Sequence, residues 1–246
     1  MCMRILLILG LFVIFLVAMP AYTYPALTGP TGLVNLPSAE VVPVGQCNVA
    51  ADFAQTENNV REMKNSYPVR LQGGVWENLE VGACININGA GDQHLWNANG
   101  KYATPFGIAG LDLAIGALYQ SADTNPFLRI TQVYVAGTRD LGCARRRFAL
   151  KGTLGANWTQ VEIGGKITVL RAYAGFDVDL NRKIALVGEY QSKDAKLDEE
   201  SLWGTAVRYP LTHTLTGEVG YTNGPISGAK KANVFLGVNY AYGTGK

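Results

Sequence analysis

From residue 46 onward the apolar positions of this chain recur at every second residue, the period of a strand with two unlike faces. Between 166 and 180, Leu170, Ala172, Ala174, Phe176 and Val178 share one face, and Arg171, Tyr173, Gly175, Asp177 and Asp179 share the other. The same alternation predicts strands at about 46–56, 67–76, 79–87, 94–103, 109–120, 127–138, 146–158, 165–179, 183–192, 202–210, 213–222 and 232–242. Most are about 9–12 residues long, the reach a tilted strand needs to cross a bilayer. Their connections alternate. Short joints at 77–78, 104–108, 139–145, 181–182 and 211–212 are interleaved with more polar, often longer ones at 57–66, 88–93, 121–125, 160–164, 193–201 and 224–231. Short turns on one rim and longer loops on the other predict an all-β fold: a transmembrane antiparallel up-and-down β-barrel of twelve strands, with both ends periplasmic.

Alternation alone does not say which face points to water. Aromatics at the predicted strand ends (Tyr67, Trp76, Tyr102, Tyr119, Trp158, Tyr190, Tyr209, Tyr221, Tyr240, Tyr242) match the girdles of a membrane barrel. Charges on the apolar face would then meet lipid at about 2–4 kcal/mol each near the midplane. The cheaper assignment turns Arg70, Glu80, Lys101, Asp112, Lys151, Arg171, Asp177, Glu189, Arg208 and Glu218 into the lumen. Five bases against five acids predict ion pairing across a narrow or obstructed channel. Gly73-Gly74, inside a predicted strand, reads as a bulge that helps curvature. Near the C terminus Gly237, Tyr240 and Tyr242 resemble the last-strand signal read by the barrel-assembly machinery, although four residues follow the final aromatic.

The start of the chain reads differently. Arg4, the apolar run 5–19 and Pro20-Ala21 have the layout of a secretory signal peptide over residues 1–21. Residues 22–45 precede the barrel proper, 46–246, and their prolines and glycines exclude a regular helix or central strand. This segment reads either as a partial plug in the periplasmic mouth or as a tether into the first strand.

Composition narrows the function classes. Only 16% of residues are charged and the net charge is +2, with no basic stripe, so nucleic acid is not an expected partner. An apolar share of 48% argues against disorder. Two histidines and four cysteines leave little material for metal or nucleophile chemistry, and no cofactor is implied. His94 with Asp92 and Ser121 is the one conceivable catalytic grouping at the extracellular rim, while His213 borders a periplasmic turn. A solvated loop histidine accounts for it far better, and the chain reads as a non-enzyme. Cys84 is placed toward the lumen and Cys47 toward lipid, with Cys143 in a short turn.

Residues 29–46 read GPTGLVNLPSAEVVPVGQ. Gly29, Gly32, Leu33, Pro37, Ser38, Ala39, Pro43 and Gly45 resemble the N-terminal signature of the YjbH-like family of outer-membrane β-barrel proteins, and the hairpin with its W-x-N-L-E-V-G turn at 76–82 resembles it too. The resemblance implies a short, single-barrel member associated with exopolysaccharide or capsule production or export. Its implied partners are outer-membrane lipid, polysaccharide and periplasmic secretion components; no catalytic residue comes with it. The alternatives are a small-solute porin or structural outer-membrane protein, and a soluble exported barrel binding an apolar ligand.

Overall fold

The computed structural model describes residues 24–57, 63–88, 94–108, 110–122, 128–142, 148–180, 184–196, 200–223 and 233–243. The expected signal peptide at 1–21 lies outside them.

Twelve strands form one closed ring: β1 (Cys47–Glu57), β2 (Met63–Trp76), β3 (Leu79–Asn88), β4 (His94–Ala103), β5 (Leu111–Ala122), β6 (Leu128–Asp140), β7 (Phe148–Ile163), β8 (Lys166–Leu180), β9 (Ile184–Gln191), β10 (Leu202–Pro210), β11 (Leu215–Thr222) and β12 (Asn233–Tyr242). Each pairs antiparallel with its sequence neighbours, and β1 closes the ring on β12, Cys47 opposite Tyr242 and Thr56 opposite Asn233. Closure leaves no unpaired edge, the condition for a sheet in hydrocarbon.

The alternation is inverted relative to a soluble protein. Outward positions such as Val49, Val69, Leu71, Ile85, Ile115, Val135, Leu154, Leu170, Val219 and Leu236 are exposed and apolar. Inward ones such as Asn48, Asp52, Gln72, Asn97, Asn157 and Asn239 are polar and buried. That is the arrangement of a barrel solvated by lipid outside. Outward aromatics gather near one rim, where Phe53 meets Tyr67 (ring centroids 5.7 Å apart), Trp96 meets Tyr119 (5.6 Å) and Trp203 meets Tyr221 (5.0 Å). Trp76, Tyr102, Tyr209 and Tyr242 mark the opposite rim, the one expected to be periplasmic.

Several connections depart from the expected lengths: β2 starts at Met63, leaving 58–62 between it and β1, and β10–β11 lengthens to 211–214. β7 runs on to Ile163 and turns through Gly164-Gly165 alone, so the predicted 160–164 loop is strand. Gln160 and Glu162 lie beyond Trp158, above the aromatic level, where polar outward residues no longer face hydrocarbon. The periplasmic β4–β5 connection, by contrast, spans 104–110. The β2–β3 turn is Glu77-Asn78, with Asn78 at φ 62°, a left-handed conformation that Asn tolerates better than most residues.

Within the wall, inward aromatics lie over glycines of the preceding strand. Tyr134 covers Gly116, Tyr173 covers Gly155 and Phe235 covers Gly220; a Cβ on any of these glycines would overlap the ring. The only hydrophobic cluster of buried residues found among the described ones lies inside the barrel. It joins Ala54, Ala136, Tyr173, Val187, Ala206 and Phe235 of the wall to Leu27, Leu33, Val34 and Leu36. Those last four belong to the segment before β1, which therefore occupies the lumen.

Candidate functional site

Residues 24–43 fold into a knot of tight turns. Ala26 N donates to Pro30 O, Leu27 N to Val34 O, Gly32 N to Tyr24 O and Leu33 N to Leu36 O, at 2.7–2.9 Å. The glycines make these turns sterically possible. Gly29 sits at φ +118° with its α-carbon against the amides of Asn97 and Asn99, and a Cβ on Gly32 would overlap Leu36 O and the Pro37 backbone. Most of the segment is buried, Val34 and Val42 to 1% exposure. Val44 and Gly45 emerge at the periplasmic rim, where the chain enters β1.

Backbone groups taken into such a space need partners, and the wall supplies charged ones. Glu189 accepts from the amides of Val34 (3.0 Å), Asn35 (2.9 Å) and Leu36 (3.1 Å), and from Asn35 Nδ2 (2.6 Å). Glu80 accepts from Thr31 N (2.9 Å), Thr31 Oγ1 (2.7 Å) and Val42 N (3.0 Å). Lys101 donates to Thr31 O (2.7 Å) and Ser38 O (3.2 Å), and pairs with Glu80 at 3.2 Å. Arg208 donates to Leu33 O (2.7 Å) and to Glu218 (2.9 Å), and lies 3.6 Å from Asp177. Its guanidinium carbon stands 4.2 Å from the centre of the Tyr24 ring, and that of Arg70 stands 5.8 Å from it. Arg70 donates to Pro25 O and pairs with Asp52 at 2.6 Å. Burial, with Glu218 adding to it, holds the Tyr24 phenol well above its ordinary pKa, so it stays neutral.

Of the charges assigned to the lumen, Arg70, Glu80, Lys101, Arg171, Glu189, Arg208 and Glu218 are buried on the inner face. Lys151 and Asp177 share that face nearer the periplasmic mouth, where Lys151 pairs with Glu40 of the segment and both side chains are more than a third exposed. Asp112 is on the inner face of β5 but exposed at its periplasmic end. The pairing differs from the expectation of ion pairs across the channel. Asp52–Arg70, Glu80–Lys101 and Arg208–Glu218 join neighbouring strands, Arg208–Asp177 skips one, and Glu80, Lys101, Arg208, Arg70 and Glu189 also bond the segment. The channel is too full for charges to meet across it.

The signature glycines and prolines all fall in this segment. Ala39 donates from its amide to Thr138 Oγ1 (2.9 Å), and Pro37 O accepts from the Tyr173 hydroxyl (3.1 Å). Gly74 does more than bend its strand. The register shifts between Gly74 and Trp76, and a Cβ on Gly74 would overlap the carbonyls of Val42 and Pro43 where the segment leaves the lumen. Asp52 was absent from the expected lumen charges; its signal was its place four residues after Asn48, on the same inward face of β1. Cys84 is buried on the inner face of β3, while Cys47 lies on the outward face of β1. Asp92 and Cys143 lie outside the described residues. His213 is in the periplasmic β10–β11 turn and Ser121 near the far end of β5, so these two are not brought together. Among the described residues no three His, Cys, Asp or Glu side chains gather as metal ligands.

No protein-family model and no curated protein matches the chain. Solved structures share its fold. The Acinetobacter baumannii outer membrane protein Omp33 superposes with a TM-score of 0.56 at 9% identity, over 80% of this chain and 98% of that one. The KdgM porin in complex with disordered oligogalacturonate gives 0.58 at 9% identity, over 79% and 99%. A Salmonella typhi outer membrane phospholipase, solved as a dimer with bound calcium, gives 0.50 at 11% identity, over 82% and 92%. The last of these corrects the expectation of a non-enzyme: the same architecture carries a hydrolase, so a twelve-stranded barrel with few histidines is no argument against catalysis. At these identities the likeness is one of fold, and the fold is that of outer-membrane β-barrels.

Proposed function

We propose that this chain is an outer-membrane barrel of the porin kind, held closed by its own N-terminal segment, that passes small polar solutes when the segment is displaced. The observation that carries the reading is the polar inner wall. Asn48, Asn86, Asn97, Thr153, Asn157 and Asn239 line the wall alongside the charged groups. The charged groups seat the segment, but Asn86 and Asn157 accept from the wall hydroxyls of Ser66 and Thr159, polar surface beyond what holding the segment requires. A wall of amides, hydroxyls and charges wets once vacated and hydrogen-bonds the hydroxyls of a passing sugar. KdgM was solved with an oligogalacturonate, and short carbohydrates are the solute class we place first.

The test is single-channel conductance in a planar bilayer, comparing the full chain with a variant lacking residues 24–43. Heat-shifted migration on a gel establishes that both barrels are closed. The full chain should conduct little and the shortened one steadily. A closed barrel without the segment that conducts no better than the full chain would end the porin reading. The resemblance of residues 29–45 to the YjbH-like signature supports a second reading, service in exopolysaccharide export, because the signature residues build the turns that seat the segment. Loss of surface polysaccharide in cells lacking the protein, with uptake of small solutes unchanged, favours this second reading over the first.

A further inference from the structure

The charged groups of the wall recognise mainly the main chain of what fills the lumen. Carboxylates meet amides: Glu189 takes those of Val34, Asn35 and Leu36, and Glu80 those of Thr31 and Val42. Cations meet carbonyls: Arg208 takes those of Gly32 and Leu33, Lys101 those of Thr31 and Ser38, and Arg70 that of Pro25. Amide side chains extend the pattern, Gln72 donating to Gly29 O and Asn97 to Thr28 O. Apolar pockets then receive a few side chains. Leu33 lies over Gly175, where a Cβ would overlap it, and joins Leu27, Val34 and Leu36 in the inner cluster. A tether needs none of these contacts, because the covalent link through Val44-Gly45 already ties it to β1. Alternating acids and bases facing amides and carbonyls, beside shaped apolar pockets, are what a peptide receptor provides.

We propose that the lumen is a peptide-binding site, with residues 24–43 as its resident ligand, held by main-chain recognition and independent of the link to β1. The ligand class is a peptide of about this length, uncharged where it is buried, with glycine and proline at its turns and short aliphatic side chains between them. The proposal rests on the reading of the segment as the closure of the barrel. Its readout is retention of a peptide, whereas that of the porin reading is passage of a solute, so either can fail alone.

The link offers the experiment. Val44 is 49% exposed at the rim, so a protease recognition sequence inserted after it, with Gly45 kept at its φ of +77° and its bond to Gly74 O, reaches solvent. The full chain is folded into detergent micelles, cut at that site, and passed over a sizing column, and the barrel peak is weighed by mass spectrometry. The freed segment should travel with the barrel. In the Glu189→Ala chain it should leave at least about tenfold faster, the equivalent of about 1.4 kcal/mol, because three amides lose their acceptor. A segment that separates from the wild-type barrel at once overturns the proposal. So does release from the cut Glu189→Ala barrel at the wild-type rate, since the wall carboxylate would then contribute nothing to holding it.

Discussion

Replacing Lys101 by Met tests whether the lumen around the segment is dry. Lys101 is 1% exposed and Glu80 is fully buried, their charged atoms 3.2 Å apart. Removing the ammonium leaves a carboxylate that still accepts from Thr31 and Val42 but has lost its cation. Breaking a buried pair from one side costs about 3–5 kcal/mol. Two segment carbonyls, those of Thr31 and Ser38, also lose a donor, at about 1–3 kcal/mol each if no water replaces it. These contributions overlap, and about 4 kcal/mol in total is a fair expectation, close to a thousandfold in the folding equilibrium. The chain carries its own control. Lys151 makes the same kind of pair with Glu40 at the mouth, with side chains 39% and 35% exposed, where about 0–1 kcal/mol is expected. The assay is the urea midpoint of barrel refolded into lipid vesicles, followed by tryptophan emission and by heat-shifted migration, for Lys101→Met, Lys151→Met, Glu80→Gln and the Glu80→Gln/Lys101→Met pair. The paired variant should recover part of the Lys101→Met loss, because its carboxamide no longer needs the cation. Equal, small losses at Lys101 and Lys151 would refute the reasoning and mean that water reaches both.

Other expectations follow from single contacts. Gly155→Ala should cost about 2–3 kcal/mol in the same midpoint, because its methyl displaces Tyr173, whose hydroxyl bonds Pro37 O and Val135 O; an unchanged midpoint means the ring has room to move. Asn78→Val should cost about 1–2 kcal/mol and Asn78→Gly nothing, since a β-branched residue resists the left-handed turn; equal effects would show that the turn changes type. In a chain whose other cysteines are serine, Cys84 should resist maleimide while folded and react once denatured. Reaction at the unfolded rate in intact barrel would place open water at the inner face of β3.

The barrel was legible because its signal is local: every second residue changes character, and twelve such runs with alternating joints admit few folds. The alternation also told which charges face inward, but not what they hold there. Asn35 and Glu189 are 154 positions apart, and Thr31 and Glu80 are 49 apart, so no window of sequence shows that one seats the other. The glycines illustrate the same limit. Gly116, Gly155 and Gly220 are glycine because an aromatic from the next strand lies across them, and only the register reveals which aromatic. The end of β7 was missed for a different reason. Polarity at 160–162 suggested a loop, whereas strands of a membrane barrel turn polar once they rise past the aromatic level.

The seam between first and last strands couples two events that a drawing would keep apart. Asp52 of β1 lies across Gly237 of β12, where a Cβ would strike its carboxylate, and the same carboxylate holds Arg70, which reaches Pro25. Until β12 arrives, Asp52 has no wall on that side, and its hold on Arg70 is hydrated and weak. Insertion of the final strand therefore dries the ion pair that grips the start of the segment. Seating the segment and zipping the last seam are thereby coupled, and a bulky side chain at Gly237 would leave both the hoop and its stopper loose.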